Sequence, residues 1–251
     1  MLPLPVFKTI GLLSAPVFYF APNWYFRFYS AYKKRTDSAK IKLISQYIKP
    51  GDTILDIGAH IGFYSKLFSS FVGPNGKVLA FEPDPVNFER LKYITRGLNN
   101  VSCVQTAVGE TNGTINLYRS KLLNVDHRAY ISPGESRHSV EVDCLKLDDF
   151  LKDKIENLSF VKIDIQGYEM KAFIGMNETL KKYHPKIISE LWPWGMRKAG
   201  DSAEKLINFF REIGYQTSLI DEETGKPAPF DVEKLVTNEQ NYYDIICNAL
   251  A

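Results

Sequence analysis

The sequence predicts an α/β fold with a seven-stranded, mostly parallel sheet flanked by helices. Two features predict it: short apolar segments alternate with segments of helical spacing, and glycine or proline residues separate them. Thr53–Ile57 is too short and too rich in β-branched residues for a helix, and Gly58 and Gly62 precede the helical spacing of Phe63–Phe71. With 251 residues, 45% of them hydrophobic, the chain can bury one substantial core.

The rest of the chain continues this alternation and adds a hairpin. Gly113–Arg119 and Ser139–Leu145 alternate polar and apolar residues, which predicts two half-buried antiparallel strands inserted after the third strand. The polar segment between them, Ser120–His138, is a predicted loop, for which the sequence leaves a lid and plain disorder open. Further strands are predicted at Val78–Glu82, Val101–Val108, Phe160–Ile165, Lys186–Leu191, Gln216–Asp221 and Tyr242–Ala249, and further helices at Ser38–Ile48, Pro85–Leu98, Tyr168–Tyr183 and Ala203–Ile213.

A glycine turn joins the first strand to its helix. Gly58 and Gly62 carry no side chains, so the backbone can approach a ligand closely, and the following helix N-terminus offers unpaired N–H groups. Glu82 ends the second strand 20 residues after Gly62. A parallel α/β sheet places at this point the acid that accepts hydrogen bonds from ribose hydroxyls. Turn and acid together predict a cofactor that contains a nucleoside.

The glycine spacing narrows the choice of cofactor. A dinucleotide site uses Gly-x-Gly-x-x-Gly to bring its turn against a pyrophosphate, and here only Gly58 and Gly62 are present, preceded by Asp56. A carboxylate at this point repels a pyrophosphate but suits the cationic sulfonium and amine of S-adenosyl-L-methionine. The sequence therefore predicts S-adenosyl-L-methionine and disfavours a nucleotide-dependent dehydrogenase.

Six blocks of sequence carry a resemblance to a known family. They are Asp56-Ile57-Gly58-Ala59-His60-Ile61-Gly62-Phe63-Tyr64-Ser65, Ala80-Phe81-Glu82-Pro83-Asp84-Pro85 with Asn87-Phe88, Ala107-Val108-Gly109, Leu147-Asp148-Asp149-Phe150, Val161-Lys162-Ile163-Asp164-Ile165-Gln166-Gly167-Tyr168-Glu169, and Pro185-Lys186-Ile187-Ile188-Ser189-Glu190. In this order they resemble the FkbM family of class I methyltransferases. The matching blocks run from about Gly51 to Glu190, which is most of the chain.

The resemblance implies a Rossmann-like fold and an S-adenosylmethionine-dependent transferase that acts mostly on hydroxyls of sugars or natural products. Family members usually carry Glu where this chain has Gln166, and this departure argues against a cluster of charged acids or a metal there. The resemblance also implies cofactor contacts along the matched blocks, at Asp56, Gly58, Ala59, Gly62, Glu82, Pro83, Ala107 and Asp164.

Four acids are predicted to meet at one edge of the sheet. Ligands of open α/β sheets lie outside the carboxyl ends of the strands, and this edge of the predicted sheet collects Asp56, Glu82, Asp164 and Glu190. Methyl transfer needs alignment of donor and hydroxyl and removal of a proton, for which Asp164, Glu190 and His60 are the candidate bases. The alternative roles are turn closure for Asp56 and helix capping for Asp164. A metal held by Asp164, Glu169 and Glu190 lacks a compact ligand spacing, so no metal is predicted.

An N-terminal helical extension, residues 1–49, is predicted to precede the catalytic domain, residues 50–251. Its first 32 residues contain ten aromatic residues, and residues 1–49 contain eight basic residues against one acid, Asp37. Pro16 and Pro22 interrupt the uncharged stretch, which argues against a transmembrane helix, and a signal peptide also fits poorly. Two roles stay open: a cap that covers the cofactor, which we favour, and peripheral contact of residues 1–35 with an anionic membrane surface.

Composition limits the remaining function classes. The net charge of +2 gives no global indication of nucleic acid as a partner. The three cysteines, Cys103, Cys144 and Cys247, are widely spaced and lie in apolar segments, which predicts buried thiols and a cytoplasmic protein. A non-catalytic module that binds a nucleoside and docks on a membrane or partner through its N-terminus is the alternative to an enzyme.

Overall fold

The computed structural model describes residues 21–120, 126–131 and 135–250. Residues 1–20 of the predicted extension, with their aromatic and proline residues, lie outside the described residues. So do residues 121–125 and 132–134 of the predicted polar loop. Within the described ranges, no helix is long and apolar enough to cross a membrane.

Within the described residues, eight strands form the main sheet: β1 Thr53–Ile57, β2 Lys77–Phe81, β3 Val101–Val104, β7 Phe160–Ile163, β8 Lys186–Leu191, β9 Tyr215–Ile220, β10 Pro227–Ala228 and β11 Tyr243–Ala249. Their order across the sheet is β10-β9-β11-β8-β7-β1-β2-β3. Strands β1, β2, β3, β7 and β8 are parallel, and β11 runs antiparallel to both β8 and β9. The predicted mostly parallel sheet is confirmed. The predicted number of seven strands is wrong, because the two-residue strand β10 is an eighth.

A second sheet of three strands contains the inserted hairpin. Its strands are β4 Ala107–Val108, β5 Gly113–Arg119 and β6 His138–Leu145, in the order β4-β6-β5. The predicted single strand Val101–Val108 is therefore wrong. Thr106 marks the change of sheet because its hydroxyl donates to the carbonyl of Asp143 at 3.0 Å and so turns the chain toward β6.

Helices cover both faces of the main sheet. They are α1 Pro22–Thr36, α2 Ser38–Tyr47, α3 Phe63–Val72, α4 Pro85–Thr95, α5 Leu147–Leu151, α6 Glu169–Ile174, α7 Asn177–Tyr183, α8 Pro193–Lys198, α9 Ala203–Glu212 and α10 Val232–Thr237. The predicted helix Tyr168–Tyr183 is divided at Gly175, where a β-carbon would lie 1.9 Å from the carbonyl oxygen of Gly109. Helix α8 begins at Pro193 because proline suits the first turn of a helix.

Two apolar clusters hold the layers together, one on each face of the sheet. Helices α2 and α3 pack through Ile44 and Phe68 against Ile54, Phe160 and Ile188. On the other face, α6, α7 and α9 pack against the remaining side chains of the same strands. All residues of β1 and β7 are buried, as expected for central parallel strands covered on both sides.

Strand register brings four chain segments to the same level. Ile57, the last residue of β1, lies beside Phe81 of β2 and Ile163 of β7, and Ile163 lies beside Ser189 of β8. The next residues of these strands are Gly58, Glu82, Asp164 and Glu190. The common carboxyl edge that the sequence predicts therefore follows directly from the parallel pairing.

Candidate active site

The turn after β1 is held by glycines that approach other parts of the protein. Gly58 has a φ of +75°, and a β-carbon there would lie 2.1 Å from the carbonyl oxygen of Asp164. Gly62 has a φ of +90°, and its β-carbon would lie 2.8 Å from Leu91. Both positions favour glycine for conformation and space. The sequence predicts that this turn approaches a ligand closely. In the structure, the turn also approaches the loop at Asp164 and helix α4 at Leu91.

Glu82 fixes the same turn from the end of β2. Its carboxylate accepts the N–H of His60 at 2.8 Å and the N–H of Asp84 at 3.0 Å, and the residue is 6% exposed. Burial raises the pKa of Glu82 to about 7, although the two backbone hydrogen bonds oppose that shift. Each oxygen accepts one N–H and has a second lone pair, so the carboxylate keeps capacity for ribose hydroxyls.

Asp56 is fully buried and paired within the protein. The hydroxyl of Ser65 donates to its carboxylate at 2.6 Å, and the ammonium of Lys162 lies 3.6 Å from the other oxygen. Burial raises the pKa of Asp56, while Lys162 and Ser65 oppose the shift. Because Lys162 offsets the charge of Asp56, attraction of a cationic ligand to this carboxylate is weaker than the sequence alone suggests. Its predicted contact with a cofactor stays a prediction.

Lys162 joins three parts of the site and was missed by the sequence reasoning. It lies on β7 beside Asp56, is 7% exposed, and donates to the carbonyl of Gly58 at 3.1 Å. Its nitrogen is also 3.9 Å from the carboxylate of Asp164. A lysine inside an otherwise apolar strand was the available signal, because a buried ammonium has to be paired.

Gln166 bridges the two predicted bases. Its amide donates to Asp164 at 3.2 Å and to Glu190 at 3.1 Å, from a left-handed backbone with φ +59°. A neutral amide between two carboxylates reduces their repulsion, which a glutamate at this position would increase. The departure from the family pattern therefore has a clear local consequence.

The pKa values of the two bridged carboxylates are shifted in opposite directions. Burial opposes ionisation of Asp164, but Lys162, Lys33 and Lys40 outweigh it and lower its pKa. The side chain of Asp164 is 42% exposed, so solvent screens part of this effect. Burial raises the pKa of Glu190 well above its ordinary value, and Asp164 and Glu169 add to the shift. Such a separation of two acids is typical of sites that move protons.

The carboxylate of Glu169 binds backbone N–H groups of the loop that carries Asp164 and Gln166. Its carboxylate accepts the N–H groups of Ile165 and Gly167, at 3.0 and 3.2 Å, and the residue is fully buried. Burial raises its pKa to about 7, against the effect of these hydrogen bonds. Glu169 therefore shapes the loop that presents Asp164 and Gln166.

Helices α1 and α2 reach the site from the predicted extension. The ring of Tyr29 on α1 lies 5.6 Å from that of His60, edge to face. Lys40 on α2 pairs with Asp244 at 2.6 Å, and Asp244 lies beside Glu190 on the adjacent strand. These contacts place the extension against the carboxyl edge, in the position that a cap requires.

The inserted hairpin also contacts residues beside the site. Arg119 of β5 lies 2.7 Å from the carboxylate of Asp84, which also caps α4. Arg128 pairs with Asp126 at 2.6 Å and lies over the rings of Trp192 and Trp194, 4.9 and 5.4 Å from their centres. The described part of the predicted loop is thus packed on the residues that follow β8.

The other predicted cofactor contacts differ in how far their residues are buried. Ala59 is 4% exposed and packs with Ala80 and Leu91, while Pro83 is partly buried beside Glu82. Ala107 lies on β4 in the apolar cluster of the small sheet, so its side chain faces protein. The turn, Glu82, Asp164 and Glu190 are brought together at the carboxyl edge. The predicted cofactor contact at Ala107 stays a prediction.

Comparison with known proteins identifies the family. The sequence profile described as the methyltransferase FkbM domain matches residues 56–217. The chain belongs to the FkbM family of methyltransferases. S-adenosylmethionine is its cofactor. No curated protein matches this FkbM-family chain by sequence.

A solved structure of an FkbM methyltransferase agrees with the fold of this FkbM-family chain. Methyltransferase FkbM from Methylobacillus flagellatus is 17% identical with a TM-score of 0.50, and the match covers 78% of this chain and 43% of that one. This chain therefore spans less than half the length of that protein. An S-adenosylmethionine-dependent methyltransferase from Aquifex aeolicus is 15% identical over 87% of this chain and 93% of that one, with a TM-score of 0.48. Aeropyrum pernix fibrillarin, solved with S-adenosyl-L-methionine, is 11% identical over 81% and 68% of the two chains, with a TM-score of 0.48.

Proposed function

We propose that this methyltransferase transfers a methyl group to a hydroxyl of a sugar, glycan or natural product. The observation that carries the proposal is the pair of carboxylates, Asp164 and Glu190, bridged by Gln166 at the carboxyl edge. A hydroxyl acceptor must lose its proton as the new carbon–oxygen bond forms, so it needs a basic group at this edge.

The residues around the glycine turn suit the cofactor. Glu82 offers free acceptor capacity to ribose hydroxyls, and the turn at Gly58 and Gly62 leaves the N-terminus of α3 without a side-chain cap. When bound, S-adenosylmethionine supplies an electrophilic methyl group whose leaving group is a neutral thioether. The protein then has to orient the acceptor and remove one proton.

We assign removal of the proton from the acceptor hydroxyl to Asp164. Its lowered pKa keeps it ionised at neutral pH, and its side chain is 42% exposed and so accessible to an acceptor. The carboxylate accepts a hydrogen bond from the hydroxyl, aligns it, and takes its proton as the ether bond forms. Lys162 and Gln166 hold the carboxylate in place.

Glu190 and His60 are assigned supporting roles. The raised pKa of Glu190 favours its protonated form, which can donate a hydrogen bond to a second oxygen of a sugar or polyol acceptor. His60 lies in the turn beneath Tyr29, with a left-handed φ of +52°. We assign residue His60 to positioning of the turn, because its backbone N–H donates to the carboxylate of Glu82.

Isotope transfer tests the proposal. The protein is incubated with S-adenosylmethionine carrying a trideuterated methyl group and with glycan, lipid and small-molecule fractions, and labelled products are analysed by mass spectrometry and NMR. We expect the label as a methyl ether. Label on nitrogen or carbon would overturn O-methylation. Cofactor binding without transfer to any fraction would indicate the alternative, a non-catalytic nucleoside-binding module.

A matched pair of variants tests the role of Asp164. Asp164→Asn keeps the shape of the side chain but cannot take the proton, so we expect turnover to fall at least about a hundredfold with cofactor affinity nearly unchanged. Asp143→Asn removes an exposed carboxylate from β6 and should change neither quantity. Unchanged turnover in Asp164→Asn would reduce this residue to a structural role.

We also propose that the protein works in the cytoplasm. Cys103, Cys144 and Cys247 are free thiols, and Cys144 and Cys247 are buried. Thiols that are not paired in disulfides fit a reducing compartment. Labelling of the denatured protein from cells with a thiol reagent should modify all three residues, and a disulfide-bonded form would contradict this location.

A further inference from the structure

Helix α1 has an apolar outer face that the described protein does not cover. Trp24, Phe28 and Tyr32 are spaced four residues apart, which aligns them on one face of the helix. They are 58%, 67% and 44% exposed, and they are the largest exposed aromatic side chains of the described residues. A run of three exposed aromatic residues is not needed to hold the helix to the domain.

The opposite face of α1 holds the helix in place. Phe26 and Tyr29 pack on the apolar cluster of α2 and α3, where the ring of Tyr29 meets that of Phe63 at 6.3 Å. Asn23 donates to the hydroxyl of Tyr93 on α4 at 3.0 Å. Since these contacts fix the helix, the outer aromatic residues are free to take part in another interaction.

Basic residues share helix α1 with the aromatic stripe. Helix α1 has four basic residues and no acidic residue. Lys33 turns inward to Asp37, whereas Arg27, Lys34 and Arg35 are exposed. The guanidinium of Arg27 lies 5.3 Å from the centre of the Trp24 ring. The outer face therefore combines aromatic side chains with uncompensated positive charge.

We propose that this outer face of α1 binds an anionic membrane surface. Tryptophan, tyrosine and phenylalanine partition into the boundary between head groups and acyl chains, and arginine and lysine beside them pair with anionic lipids. Bulky aromatic residues distinguish this surface from a purely basic patch for nucleic acid, which is dominated by phosphate contacts. The inner face of the same helix contacts His60, so docking brings the glycine turn and the carboxyl edge next to the lipid.

This arrangement unites the two roles that the sequence left open for the extension. Tyr29 and Phe26 face the domain, as a cap requires, and Trp24 and Phe28 face outward, as a membrane contact requires. Both roles fit on one helix because residues four apart share a face while their neighbours lie on the other. The membrane contact does not depend on the chemistry proposed for the site.

Vesicle binding by the full chain tests the proposal. Vesicles of phosphatidylcholine with phosphatidylserine are compared with vesicles of phosphatidylcholine alone, by sedimentation at low and high salt. We expect binding to the anionic vesicles that added salt weakens, since the attraction is screened. The combined variant Arg27→Gln, Lys34→Gln and Arg35→Gln should bind roughly a hundredfold more weakly, from about fivefold for each basic residue.

A control variant separates this surface from net charge. The combination Lys152→Gln, Lys205→Gln and Arg211→Gln removes the same charge from exposed positions on other elements of the domain. We expect it to bind anionic vesicles about as well as the unchanged protein. Equal losses in the two triple variants would overturn the proposal, because the binding would then follow total charge.

Two further measurements report on the aromatic residues. Trp24 is exposed whereas Trp192 is 4% exposed, so insertion should shift the tryptophan emission to the blue, and Trp24→Phe should remove that shift while vesicle binding persists. Phe28→Ser should weaken vesicle binding at least about fivefold, as loss of a buried aromatic side chain requires. Ile174→Ser, a change at another exposed apolar residue, should have no effect.

The competing partner is nucleic acid. If single-stranded oligonucleotide displaces the protein from vesicles, and if Phe28→Ser leaves both interactions unchanged, the surface is a basic patch and the membrane proposal is wrong. Absence of binding to anionic vesicles at low salt would also overturn it.

Discussion

Gly58 provides the sharpest test of how the site is built. A β-carbon at this position would lie 2.1 Å from the carbonyl oxygen of Asp164, and the backbone has a φ of +75°. The left-handed conformation costs a non-glycine residue about 1–2 kcal/mol. Forcing an extra carbon into a packed interior costs roughly 1–3 kcal/mol more. We therefore expect Gly58→Ala to lower the free energy of unfolding by about 2–5 kcal/mol.

Gly97 is the matched control for this prediction. Its φ of +80° is close to that of Gly58, but a β-carbon there would meet no atom within 4 Å. Gly97→Ala should therefore lose only the conformational part, about 1–2 kcal/mol. The difference between the two variants isolates the contact between the turn and the loop after β7.

Urea unfolding followed by circular dichroism measures both variants, and calorimetry measures their affinity for S-adenosylmethionine. Gly58→Ala should also bind the cofactor more weakly, because relief of the contact moves either the turn or the loop that carries Asp164. Gly97→Ala should bind it normally. If the two variants lose the same free energy of unfolding, the reasoning from the close approach is refuted.

The remaining predictions concern the carboxylates. The pKa of Glu169 is raised from 4.5 to about 7, so its burial destabilises the protein progressively as the pH rises from about 4.5 to 7. Glu169→Gln should therefore flatten the pH dependence of the urea midpoint in this range. An unchanged profile would contradict the assignment. Glu82→Gln should weaken cofactor binding by about one to two decades, as loss of a charged hydrogen bond of roughly 1.5–3 kcal/mol requires, and equal affinities would remove Glu82 from the site. The affinity of the unchanged protein should fall as the pH drops below about 7, where Glu82 becomes protonated, and calorimetry across this range should find no such fall in Glu82→Gln. Gln166→Glu should raise the pKa of Asp164, because a third carboxylate replaces the bridging amide. The acidic limb of the pH profile of turnover should then move to higher pH. An unmoved limb would show that the bridge does not act on Asp164.

Strand ends were predictable because they depend on local sequence. Glu82 and Asp164 directly follow short apolar strands, and Asp56 and Glu190 are the penultimate residues of theirs. Parallel pairing brings the ends of such strands to one edge. The same reasoning gave the inserted hairpin, since alternation of polar and apolar residues depends only on neighbours along the chain. It failed at Val101–Val108 and at Tyr168–Tyr183, where contacts from distant residues break a continuous pattern.

The sequence by itself determined the α/β class, the glycine turn and the acids that meet at the edge, because periodicity and strand direction are properties of short segments. Only the tertiary structure decided the state of those acids. Lys162 reaches Asp56 and Asp164, Gln166 joins Asp164 to Glu190, and α1 divides its residues between an inner and an outer face. The physical reason is that burial and charge pairing depend on distances between residues far apart in the chain, which no local pattern contains.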